Sequence, residues 1–180
     1  MDNSDAHEDK VFGKINRLIH LTNEADERGL VLSVAAFSED LLGRLLVAYL
    51  RAGKSTSALV EGFNAPLGTF SARIKAGHSV GLLSDEQYQD LEVARKIRNE
   101  FAHNWEGCTF SKQNISDLIN GMSSSRIDKT VHESSKSKFQ SSMQCILVEL
   151  SYLLSTLGPG GRKIPTVAAH LGLEPYRGPL

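Results

Sequence analysis

Apolar residues recur along this chain at helical spacing, and no segment keeps the strict alternation of a half-buried strand. Val11, Ile15, Leu18, Ile19 and Thr22 put one apolar stripe on a helix over roughly 8–27. Gly29 punctuates, and Leu30 to Ala52 predicts the strongest helix. Its apolar residues (Leu30, Val31, Val34, Ala35, Phe37, Leu41, Leu42, Leu45, Leu46, Tyr49) lie almost all round, which marks the central element of a bundle. At ~1.5 Å per residue this helix is about 35 Å long. Gly53 stands where a C-terminal capping glycine belongs.

Residues 53–66 read as loop with one helical turn. A helix follows from Leu67 through Phe70, Ile74 and Ala76 to Val80, closed by Gly81. Ser84 and Gln87 have the spacing of a capping box, with Asp85 and Glu86 in the first turn favouring the helix dipole. The helix they open, about 85–103, carries Tyr88, Leu91, Ala94, Ile97 and Phe101. Ser111 to Asn120 predicts a weaker helix, and 121–135 a long loop. Lys136 to Thr156 forms a last helix bearing Phe139, Met143, Ile146, Leu147, Leu150, Leu153 and Leu154. The expectation is an all-α, single-domain bundle of five or six helices over 11–157. An acidic arm over 1–10 and an extended Gly/Pro-rich tail over 158–180 flank it.

Composition narrows the class. Of 180 residues, 41% are hydrophobic and 23% charged, with a formal net charge of −1. That is too apolar for a disordered chain. Ser33, Ser38, Glu39, Asp40 and Arg44 interrupt the apolar run from Leu30 to Leu50, which argues against a membrane span. Near-zero net charge argues against a general cationic nucleic-acid binder and leaves room for a local basic site. Cys108 and Cys145 are too few for a disulfide framework or a four-cysteine zinc site. The opening residues Asp2, Asp5, Glu8 and Asp9 lack a basic segment followed by an apolar one, so the expected location is the cytoplasm.

The phosphate-binding, dinucleotide, zinc-protease and nucleophile-elbow motifs are all absent. Gly53-Lys54-Ser55 mimics the end of a phosphate loop but follows a helix rather than a strand. No two of His7, His20, His78, His103, His132 and His170 lie at i, i+3 or i+4, so neither a metal site nor a cofactor is expected.

One polar cluster is dense: Arg95-Lys96-Ile97-Arg98-Asn99-Glu100-Phe101-Ala102-His103-Asn104-Trp105. In the plain reading, Lys96 and Arg98 complement the helix C-terminus, Ile97 and Phe101 pack inward, and His103 with Asn104 caps the last turn. In the chemical reading, His103 moves protons near neutral pH and Arg98 holds the charge developing on an RNA phosphate. Arg98 and His103 are about 140° apart on one helix, so a shared site requires two helix ends brought together in a symmetric homodimer. Asn99 and His103, at i and i+4, do share a face.

Arg98-Asn99-x-x-x-His103 resembles the R-x-x-x-x-H motif of the HEPN superfamily of small helical domains, many of them metal-independent endoribonucleases. The acidic step Phe37-Ser38-Glu39-Asp40-Leu41-Leu42 is similar to the acidic position of an early HEPN helix. The stretch Ala65-Pro66-Leu67-Gly68-Thr69-Phe70-Ser71-Ala72-Arg73-Ile74-Lys75 is more specific. With Gly81-Leu82-Leu83 and Tyr88-x-Asp90-Leu91-Glu92, it resembles the mannitol operon repressor family. The likeness covers about 30–105. It implies a helical regulatory protein without a helix-turn-helix, working through protein partners rather than by reading DNA sequence. The HEPN resemblance implies instead a ribonuclease using Arg98, Asn99 and His103, with Glu39 in support. A plain dimeric interaction module is the third class.

Single residues carry two readings each. Arg73, Lys75, Arg95 and Lys96 are either solvated helix faces or contacts to RNA phosphate or a partner. Glu39 and Asp40 either pair with Arg44 or supply a carboxylate that orients Arg98 or Asn99. Trp105 is expected to anchor the core or an interface.

Overall fold

The computed structural model describes residues 3–104, 106–123 and 134–157, with side chains from residue 13 onward. The described residues form seven helices and no strand. They are α1 (Asn3–Glu24), α2 (Glu27–Tyr49), α3 (Lys54–Val60), α4 (Phe70–Ser79), α5 (Asp85–His103), α6 (Gln113–Asn120) and α7 (Ser135–Thr156). The expected all-α bundle is present. The helix beyond five or six is α3, a seven-residue element in the segment read as loop.

Helix α2 is the axis, packed against α1, α3, α4, α5 and α7. Leu30, Val31, Val34, Ala35, Leu41, Leu42, Leu45 and Leu46 are buried along it in one broad stripe. Ser38 lies in the same stripe and satisfies its hydroxyl by donating to the Val34 carbonyl at 2.7 Å. Around this axis α1 pairs with α7, α4 with α5, and α6 with both α5 and α7. Phe101, Phe110 and Phe139 pack in succession within the core, with ring centroids 5.4 Å apart in each pair.

Caps set the element boundaries. Helix α1 stops at Glu24 because Asp26 opens α2, its carboxylate accepting the Gly29 N–H at 2.6 Å. Gly29 therefore lies in the first turn of α2 instead of punctuating a loop. Helix α4 starts at Phe70, three residues later than expected, because Thr69 caps it and Pro66-Leu67-Gly68 form a turn. The capping box of α5 is formed as read: Gln87 N–H donates to Ser84 Oγ at 3.2 Å, and Ser84 N–H to Gln87 Oε1 at 3.0 Å. The expected arm over 1–10 is helical from Asn3. Trp105, most of the expected loop over 121–135 and the tail over 158–180 lie outside the described residues.

Candidate functional site

The polar cluster is the exposed C-terminal half of α5 and the turn beyond it. Ile97 and Phe101 are buried, as the plain reading has them, while Lys96, Arg98 and His103 are exposed. Arg95 is engaged along its own helix, donating from Nε and Nη2 to the Glu92 carboxylate, at 2.8 Å for the shorter contact. That hydrogen bond, more than the charge itself, raises the Arg95 pKa. Arg98 Nη1 donates to Asn99 Oδ1 at 3.1 Å. The Asn104 amide donates to the Glu100 carboxylate at 3.1 Å, and the Asn104 N–H closes the helix on the Glu100 carbonyl.

His103 and Asn104 line a cavity of about 300 Å³ together with Glu106, Gly107 and Lys112. Gly107 turns there with φ 122°, a left-handed backbone that favours glycine. The lining offers a titratable imidazole, an ammonium and a carboxylate, so it suits a polar, mixed-charge ligand surface. Within the chain no hydrogen bond joins Arg98 to His103, as their spacing on one helix requires. Among the described residues no ion pair joins Glu39 to Arg98; the Glu39 backbone carbonyl accepts a hydrogen bond from Arg73.

Arg73 proves to be an internal tie. From α4 its Nε donates to the Leu67 carbonyl at 2.9 Å, Nη1 to the Glu39 carbonyl at 2.8 Å and Nη2 to the Val60 carbonyl at 3.0 Å. One guanidinium thus holds α2, the end of α3 and the loop before α4. Three of its roughly five N–H donors are thereby taken by backbone carbonyls, and the guanidinium is part-buried. Lys75 stays exposed on α4.

Two residues that position the cluster carried no sequence signal. At the start of α2, Arg28 Nη2 donates to the Phe101 carbonyl, and the Glu27 carboxylate accepts the Phe110 N–H at 2.9 Å. These contacts fasten both ends of the segment that bears His103 and Gly107. Their partners are backbone groups, which no side-chain pattern announces, and Glu27 alone reads as a dipole-favouring first-turn acid. Cys108 sits inside the segment, half-buried, and burial pushes its thiol pKa up. Among the described residues, no group of three His, Cys, Asp or Glu side chains could hold a metal ion. No described helix is long and apolar enough to cross a membrane.

A family model described as mannitol repressor matches residues 56–152. No curated protein matches the chain. Among solved structures, the fold is similar to a chain in the X-ray structure of the MtlR–HPr complex from Escherichia coli. The TM-score is 0.53 at 16% identity, over 81% of this chain and 98% of that one.

Proposed function

This chain belongs to the mannitol repressor family, and on that premise we propose that it regulates transcription through a bound protein partner. The observation that carries the reading is the likeness in fold to a protein solved in complex with HPr. Electrostatics support it. A DNA-reading helix leads into the major groove with its N-terminal residues. Helix α5, which follows α4 after a short connection, opens with exposed Asp85 and Glu86, and α2, which follows α1 more tightly still, opens with Glu27; phosphates repel all three carboxylates. The protein is assigned to the cytoplasm, where such a regulator meets its partner. The test is calorimetric titration of the purified chain with Escherichia coli HPr. Saturable one-to-one binding is expected, and no binding tighter than about 1 mM overturns the reading.

A second reading rests on the cavity at the end of α5, where exposed His103 faces solvent beside Lys112. In a homodimer, Arg98 of one protomer would stand beside His103 of its partner, with Asn99 orienting either group. His103 would take the proton of an RNA 2′-OH as it attacks the adjacent phosphate; the P–O5′ bond would break, leaving a 2′,3′-cyclic phosphate and a 5′-hydroxyl that takes up a proton. Lys75, Arg95 and Lys96 would contact the RNA. RNA cleavage that survives EDTA and falls about 10²–10⁴-fold in His103→Ala supports this. RNA left intact by the wild type over hours excludes it.

A further inference from the structure

Phe63 is 99% exposed, and Leu59, the last residue but one of α3, is 36% exposed. A phenylalanine left wholly in water contributes no burial to the folded chain, and its apolar area remains available to a partner. The loop that carries it is nevertheless tightly built. Asn64 turns the backbone with φ 57°. The Ala65 N–H bonds the Gly62 carbonyl at 3.0 Å, Leu67 N–H the Leu59 carbonyl at 2.9 Å and Gly68 N–H the Ala65 carbonyl at 2.8 Å. Arg73 grips the carbonyls of Val60 and Leu67 on either side. A three-way backbone tie thus fixes the loop that presents an unburied aromatic ring.

We propose that the Phe63 loop is the element with which this chain docks its partner protein, Phe63 entering an uncharged apolar socket on that partner. The inference rests on the reading that the chain acts through a bound protein. Three features on the loop select a protein occupant. Buried aromatic anchors dominate protein interfaces. Interface cores are depleted of charge, and between Ser55 and Ala72 the only charged residue is Glu61. A nucleic acid would require cations here, and the one charge is negative. The ties described above also fix the loop in advance, so little order is left to be imposed on binding. The loop lies inside the segment that matches the family, residues 56–152.

The test is titration of Escherichia coli HPr into the full chain and into Phe63→Ala, Phe63→Glu and Tyr152→Ala, with the melting temperature and sedimentation of each. Tyr152 is also exposed, but it lies on α7 and serves as the control. Phe63→Ala should weaken binding at least about tenfold, and Phe63→Glu should abolish it. Tyr152→Ala should bind like the wild type. Melting temperatures should be unchanged, since Phe63 buries nothing in the free chain. Equal binding by Phe63→Ala overturns the docking assignment and leaves the protein-partner reading standing. Failure of the wild type to bind overturns both. A drop from dimer to monomer in Phe63→Ala, with HPr binding retained, makes the loop a contact between copies and also overturns the proposal.

Discussion

Arg73 shows how much one side chain decides and how little of that the sequence displays. Its guanidinium serves three carbonyls from three parts of the chain. Removing it leaves part-buried acceptors without partners, at a cost of about 1–3 kcal/mol each in unfavourable cases. Arg73→Ala should therefore destabilise the fold by about 2–4 kcal/mol in urea unfolding. Arg73→Lys should rescue little, because a single ammonium cannot span a fork of three directions. Gly43 belongs to the same device. A methyl built on it would lie 2.8 Å from Arg73 Cζ and 2.9 Å from Nη1. A free side chain would swing aside, but this one is fastened at three points. Gly43→Ala should cost about 1–3 kcal/mol, and in a double-mutant cycle with Arg73→Ala the two losses should fall short of their sum. In the sequence Arg73 is one of two cations, with Lys75, that follow a Pro-Leu-Gly turn. Its partners are backbone oxygens, which every residue possesses, so nothing distinguished the tie from a surface contact.

At the scale of elements, legibility followed length and capping chemistry. Helix α5 was readable at both ends, because Ser84 and Gln87 announce a capping box and Asn104 closes the last turn. Ser84→Ala should cost about 1 kcal/mol by thermal unfolding. Helix α2 was readable as the axis from its apolar density. Leu42 and Leu45 are 1% and 0% exposed, so Leu42→Ala and Leu45→Ala should each lose about 2–5 kcal/mol. Helix α3 was not readable. Its sequence Lys-Ser-Thr-Ser-Ala-Leu-Val has too few apolar positions for a periodicity, and it is held by contacts to residues distant in the chain. Thr56 and Val60 turn inward, and the Val60 carbonyl is held by Arg73. The candidate site divides in the same way. The residues of the α5 terminus were legible as a cluster, whereas the cavity beside them depends on a turn at Gly107 and on anchors from α2 that only the folded chain brings near.

At the scale of the whole molecule, the segment that carries the family likeness holds much of the buried core but not the helix around which that core is packed. The match begins at Thr56, inside α3, and omits α1 and α2. Yet α2 contributes ten buried residues and touches five of the other six helices. A fragment spanning 54–157 would leave α4, α5 and α7 with their inward faces in water. Conformational entropy then exceeds the apolar burial that remains, so no cooperative unfolding transition should be seen by circular dichroism. A fragment spanning 27–157 differs in kind. It loses α1, whose described buried apolar residues are Ile15 and Leu18. At about 1.5–3 kcal/mol for each buried large apolar side chain, the deficit is about 3–6 kcal/mol. Domain stabilities of about 5–15 kcal/mol exceed that loss over all but the lowest part of their range. This fragment should unfold cooperatively at a lower temperature than the full chain. It also retains Glu39, Arg73 and the Phe63 loop, so it should bind HPr with the affinity of the full chain, while 54–157 should not bind. A cooperative transition in 54–157 would show that α2 is not the axis on which the fold depends.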